Sequence, residues 1–295
     1  MAGLNIQPGG CYMDGTFGRG GHSREILRKL NAEGRLIAID RDPEAVAGVV
    51  PELKRDPRFE IVKGEIANIR EIAAERNLIG KLDGLLFDLG VSSPQLDDPE
   101  RGFSFRGDGV LDMRMDPATG TSAADWLATV GEKDLKQVLL RFGEERSASR
   151  IAKAIIAARD EKPIRRTREL ADIVAATVPS RGQRKHPATK TFQAIRIFLN
   201  DELGQLELAL EASVELLAKG GRLCVISFHS LEDRRAKRFM RNASRETEAY
   251  RGLPAVPAEH QPPLRLIGRA QTASEEEVRE NPRARSARLR VAERV

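Results

Sequence analysis

Cysteine is nearly absent from this chain: Cys11 and Cys224 are the two in 295 residues. Each sits inside an apolar run. That reads as a buried free thiol in a reducing, cytoplasmic compartment rather than a disulfide framework. Histidine is scarce too. His22, His186, His229 and His260 are scattered, no CxxC exists, and no metal site is expected. No apolar run approaches the roughly 18 residues that cross a bilayer. The start, MAGLNIQPGG, holds neither a basic nor an apolar leader region, so no secretory signal and no membrane partner are expected. Internal repeats are missing. What remains is 40% hydrophobic and 32% charged, the composition of a globular protein with a large core.

The densest chemical signal is DGTFGRGGH, residues 14–22. It follows the apolar Cys11-Tyr12-Met13 and precedes a helical pattern over 23–31. The order reads strand, glycine-rich turn, helix, with Ser23 as the cap. Gly18, Gly20 and Gly21 let the backbone turn tightly and approach a ligand. Asp14 at the strand end suits an ammonium group or hydroxyls and would repel a pyrophosphate. That weighs against a nicotinamide-dependent oxidoreductase, the rival that shares such a turn, and no hydride-site pattern appears. Asp40 ends the next apolar run, 35–39. It lies about 20 residues beyond the turn, the spacing of a ribose-binding carboxylate. Asp42-Pro43 reads as a helix N-cap and first residue. Residues 59–62 and 84–88 read as strands three and four, with a helix over 66–77 between them. Strands and helices alternating at this rhythm predict a doubly wound α/β sheet, which binds ligands outside the carboxyl ends of its strands. Asp14, Asp40 and Asp88 would share that edge.

After Asp88 a Gly-, Arg- and Asp-rich stretch runs to Pro117 and reads as an ordered functional loop. Helical periodicity over 122–178 predicts a small helical domain inserted into the sheet domain. The expected division is 1–100 and 191–295 for the sheet domain, 101–190 for the insertion. A long amphipathic pattern over 189–218 should stop at Gly220-Gly221 and lead into a strand over 222–228. Runs at 264–267 and 287–291 should pair antiparallel. The net charge is +5, gathered at 165–166, 181–190 and 234–241, which points to a polyanionic partner.

In order along nearly the whole chain stand DGTFGRGGHS, AIDRDP, FDLGVSSPQLDDPERGFSFR, LDMRMDP, HPATKTFQAIRIFLNDEL, GGRLCVISFHSLEDR and ENPRARSARLR. They resemble the motifs of the bacterial 16S ribosomal RNA cytosine-N4 methyltransferases. The resemblance implies a Rossmann-like class I methyltransferase core, S-adenosylmethionine as cofactor, and an inserted helical domain for substrate. It implies that Gly20, Gly21 and His22 meet the methionine end of the cofactor and that Asp40 holds the ribose. Ile66 falls beside the adenine, where members often carry Phe, and Asp88 and Gln95 complete the pocket. Ser93 and Pro94 are assigned to the target amine, because amino-methyltransferases similar to this chain grip it there with a carbonyl and a polar side chain. Arg106, Arg114, Arg184, Lys185 and Lys190 are candidates for phosphates. Phe228, with Phe103 and Phe105, is a candidate to hold the extruded base. The implied partner is 16S ribosomal RNA or the small ribosomal subunit, and a homodimer is compatible with the sequence. Methylation at N4 needs no cysteine nucleophile, and neither thiol lies in a suitable loop. Members usually begin with a further His-containing segment before the position of Leu4. A non-catalytic ribosome-assembly factor is the other reading of the same basic clusters.

Overall fold

The computed structural model describes residues 1–178, 186–246, 257 and 260–295. They form two compact units. One joins Met1–Gly90 to Leu203–Val295, and the other is Val91–Glu202. The insertion expected at 101–190 falls within the second.

The first unit is built on one sheet. Its strands are β1 (Cys11–Asp14), β2 (Arg35–Asp40), β3 (Phe59–Lys63), β4 (Leu82–Asp88), β5 (Leu217–Ser227), β6 (Leu264–Leu266), β7 (Gln271–Thr272) and β8 (Arg288–Arg294). The order is β3-β2-β1-β4-β5-β8-β6, with β7 also on β8. The strands β1 to β5 are parallel, and β8 runs antiparallel to β5 and β6. Strand order reverses between β1 and β4, which opens a crevice at their carboxyl ends. This is the Rossmann-like arrangement expected; the run at 264–267 does pair antiparallel with the last strand, but with residues 291–294 rather than with 287–291, which lies against β5 and β7.

Alternation along each strand divides the core between the two faces. Met13, Ile37, Ile39, Leu85, Phe87 and Val225 meet residues of α4 (Ile69–Ala74), α11 (Glu202–Leu216) and α12 (Ser230–Ala243). Tyr12, Leu36, Ala38, Leu86 and Cys224 meet residues of α1 (Gly21–Leu27), α2 (Pro43–Ala47) and α3 (Pro51–Lys54). Each fully buried large side chain contributes roughly 1.5–3 kcal/mol. Strands buried on both sides explain why β2 and β4 are continuous apolar runs.

Three expectations need correction. Ser23 does not cap α1; the helix begins at Gly21, after Gly20 at φ 72°. The Ser23 hydroxyl is drawn instead to buried Asp14, 2.7 Å away. Residues 66–77 are not one helix: a 3₁₀ turn at Ile66–Asn68 precedes α4, which ends at Ala74. The pattern over 189–218 breaks into α10 (Thr189–Leu199) and α11. The break lies at Asn200 and Asp201, the latter at φ 45°. Moreover β5 starts at Leu217, before the glycine pair. The seam was hidden because its apolar spacing is kept on both sides.

In the second unit α5 (Ser93–Asp97) leads into the loop to Pro117. Then come α6 (Ala123–Thr129), α7 (Glu132–Gly143), α8 (Ala148–Glu161), α9 (Thr167–Thr177) and α10. They share a core of Leu127, Leu139, Ile151, Ile155, Val174 and Ile195. The loop is tied into that core. Buried Asn200 accepts from the Met115 N–H at 2.8 Å and donates to the Met113 carbonyl at 2.7 Å. Arg101, also buried, donates to the Met115 carbonyl at 2.9 Å. Gly109 is fixed by crowding, since a Cβ there would lie 1.8 Å from the Pro99 carbonyl oxygen.

Candidate cofactor site

Three acids end three neighbouring strands: Asp14 on β1, Asp40 on β2 and Asp88 on β4. Asp14 has no exposed surface. It accepts from the Ser23 hydroxyl at 2.7 Å and the Thr16 N–H at 3.2 Å. Burial pushes its carboxyl above the usual range, opposed by the Ser23 hydrogen bond and by His22. Thr16 in turn accepts from the Asp88 N–H at 2.6 Å, fastening the turn to the end of β4. The first acid is thus an internal brace for the glycine turn.

Asp40 faces the turn from the next strand. One carboxylate oxygen accepts from the Gly18 N–H at 2.7 Å and the other from the Asp42 N–H at 2.9 Å. Burial outweighs these bonds and raises its pKa to about 6. Each oxygen keeps a further lone pair, so the group can still take hydroxyl donors. Asp42 caps α2 through the Glu44 N–H at 2.9 Å, and Pro43 opens that helix, as the sequence indicated.

The glycines have separate duties. Gly20 sits at φ 72°, and a Cβ there would strike the Phe17 ring at 2.7 Å. Gly21 meets nothing within 4 Å of such a Cβ, so the ground above the first turn of α1 is open. His22 Nε2 stands 3.2 Å from Asp88 Oδ2. That hydrogen bond raises the pKa of His22 against the opposing effect of burial. The other oxygen, Asp88 Oδ1, is buried and has no hydrogen-bond partner among the described residues. A buried carboxylate oxygen left unpaired is costly, and a cationic or N–H ligand would satisfy it. Ile66 is half-buried in its 3₁₀ turn and packs with the sheet core. Phe228 follows β5, half-buried, and its N–H donates to Glu232 at 2.8 Å. It is near Gly90, whose added Cβ would lie 3.9 Å from the ring.

The first unit therefore gathers Gly20, Gly21, His22, Asp40 and Asp88 on one rim. Open space, acceptors and an unsatisfied carboxylate oxygen fit a cationic ligand that carries vicinal hydroxyls. Ser23 and Thr16 were missed by the sequence reading. Their signal was short hydroxyl side chains flanking an acid that had to be buried.

The remaining candidates belong to the second unit. Gln95 is buried, and its side-chain oxygen accepts from the Ser92 N–H at 2.8 Å in a capping box. The Pro94 carbonyl accepts from the Asp98 N–H at 2.9 Å. Ser93 is exposed at the start of α5. Phe103 is core, and Phe105 packs on Phe192 and His186 at 4.9 and 4.6 Å, so both serve packing. Arg114 is forked onto Asp112, with bonds of 2.9 and 2.7 Å, which offsets its charge. Arg106 is exposed, and Lys190 donates to the Glu144 carbonyl at 3.0 Å. Arg184 and Lys185 lie outside the described residues.

A sequence model described as the MraW methylase family matches residues 1–295. Among solved structures, an rRNA methylase from Streptococcus thermophilus is 10% identical with a TM-score of 0.42, covering 98% of this chain and 89% of its own. Aeropyrum pernix fibrillarin, in complex with natively bound S-adenosyl-L-methionine, is 10% identical with a TM-score of 0.40, covering 98% and 68%. Likeness at that level carries no argument about function.

Proposed function

The chain belongs to the MraW methylase family, and from that premise we propose that it transfers a methyl group to the N4 amine of one cytosine in the decoding region of 16S ribosomal RNA. The enzyme is an S-adenosylmethionine-dependent methyltransferase. The observation that carries the reading is the rim of the first unit. There the unpaired Asp88 Oδ1 is suited to the cofactor's ammonium group and Asp40 to its ribose hydroxyls. The open ground at Gly21 gives the methionine end room, with His22 on Asp88 beside it. Ile66 packs against the adenine without stacking.

Bound S-adenosylmethionine supplies a sulfonium methyl that already carries positive charge. The protein's task is therefore placement. A cytosine amine is a weak nucleophile, since its lone pair is delocalised into the ring. Acceptors on its N–H bonds turn the lone pair toward the methyl and stabilise the positive charge that builds on the nitrogen until one N–H proton is lost to solvent. Ser93 is assigned this role. Pro94 fixes the start of α5 beside it, and Gln95 holds that turn together through Ser92. Phe228 receives the face of the extruded base, and Arg106, Lys190, Arg184 and Lys185 meet phosphates. The ribosomal substrate places the reaction in the cytoplasm.

Ribosomal RNA from cells lacking this protein tests the reading. Nucleoside mass spectrometry should find one cytosine short of its N4-methyl group, restored by the wild-type chain and not by Asp88→Ala. An unchanged methylation pattern would overturn it.

A further inference from the structure

A groove of about 310 Å³ lies in the first unit between α12 and the strands β6 and β8. Lys237, Arg241, Arg269 and Arg290 line it, together with apolar residues such as Leu266, and no acid does. Arg290 is paired with Asp233 at 2.7 Å. Lys237, Arg241 and Arg269 are exposed and make no ion pair among the described residues. Their neighbours on α12 differ, since Arg235 and Arg238 both reach Glu207. Another groove of the unit mixes Arg24, Arg28 and Arg58 with Glu52 and Asp56, and its Arg58 is tied to Asp56.

Lys237 and Arg241 stand four apart on α12, so they share a face and repel. Asp233, one turn before Lys237 on the same face, is taken up by Arg288 and Arg290 and does not relieve that repulsion. A chain of anions in the groove would. Leu266 is 46% exposed on the groove wall, giving the sugar or base edge of such a chain an apolar surface. Position matters as well. The residue α12 starts from, Ser230, follows the end of β5, on the rim that carries Asp88, and Lys237 is seven residues along, about 10 Å at helical rise.

We infer that this groove binds the phosphate backbone of the substrate RNA beside the target nucleotide. Lys237, Arg241 and Arg269 each contact a phosphate, while Arg290 stays with Asp233 as a support. The inference rests on the RNA reading above.

The test uses the full chain with Lys237, Arg241 and Arg269 all changed to Gln. A control changes the exposed Lys29, Lys54 and Arg55 to Gln, for the same loss of charge. Binding to 16S ribosomal RNA and to a labelled single-stranded RNA oligonucleotide is followed across a salt titration. At about 0.7 per phosphate contact, the slope of log affinity against log salt should fall by roughly 2 in the groove variant only. Affinity at low salt should drop on the order of tenfold. S-adenosylmethionine affinity should stay at wild-type level, showing the variant folded, and Lys237→Arg with Arg241→Lys and Arg269→Lys should restore binding. If the groove variant keeps the wild-type slope while the wild type binds RNA, the groove proposal alone fails. The same holds if the variant loses affinity for polyglutamate but not for RNA. If the wild type shows no salt-dependent RNA binding, the RNA reading itself fails, and the groove proposal with it.

Discussion

Asp40→Asn should separate ligand binding from stability. In the free protein the ionised Asp40 is held at a cost. Its pKa is raised to about 6, and the group is ordinarily near 3.8. Two pH units correspond to roughly 3 kcal/mol of disfavour for the charged form above pH 6. Asparagine removes that cost. It also has one acceptor oxygen for two N–H donors, Gly18 and Asp42, and leaving one unpaired costs about 1–3 kcal/mol. The two effects offset, so urea unfolding should show little change in stability. Cofactor affinity should not be spared. Losing a hydrogen bond between a carboxylate and a ribose hydroxyl costs about 1.5–3 kcal/mol, a weakening of roughly 10- to 150-fold. The pH dependence gives a second reading. The ionised carboxylate is the form that accepts from hydroxyls. Wild-type affinity should therefore fall below pH 6 by up to about tenfold per unit, and the variant should lack that fall while keeping whatever dependence His22 gives both proteins. Calorimetry with S-adenosylhomocysteine from pH 4.5 to 8 would measure both. Equal affinity for the two proteins, or parallel pH profiles, would refute the assignment of Asp40 to the ribose.

The glycine turn offers a paired comparison in denaturant unfolding and cofactor calorimetry. Gly20→Ala should lose about 2 kcal/mol or more, from left-handed strain and the Phe17 ring, and Gly21→Ala should stay within about 0.5 kcal/mol yet weaken cofactor binding. His22→Gln should lose at most about 1 kcal/mol, since the pair with Asp88 is a third exposed. Because the His22 pKa is raised, this contribution is fully present below about pH 6.5 and fades as pH rises through the higher folded value. The stability gap between wild type and variant should thus be wider at pH 6 than at pH 9, and a gap that widened upward would contradict the pairing. Asn200→Leu strands the Met115 N–H and the Met113 carbonyl, and should cost roughly 2–4 kcal/mol by urea unfolding.

Much of the first unit was legible because its signals are local. The buried strands are continuous apolar runs, Asp42-Pro43 is a helix start in two letters, and the three acids stand at strand ends where chain direction alone places them. What stayed hidden depended on partners distant in sequence. Ser23 looks like a cap until Asp14 is buried nine residues away and claims its hydroxyl. The pattern at 189–218 is one apolar stripe, and it breaks because the Asn200 side chain serves the loop at Met113 and Met115. The charge of Arg114 is visible in the sequence and its fork onto Asp112 is not. The cations at 234–241 divide likewise. Of the five, Arg235 and Arg238 are spent on Glu207 while Lys237 and Arg241 face an acid-free groove, a distinction that composition cannot make.

One measurement bears most directly on the account. The purified chain would be given small ribosomal subunits and S-adenosylmethionine with a deuterated methyl group, and the digested RNA analysed by mass. The label should appear on the exocyclic nitrogen of a single cytosine and vanish with Asp88→Ala. Label on a ring carbon, on another base, or nowhere in the RNA would contradict it.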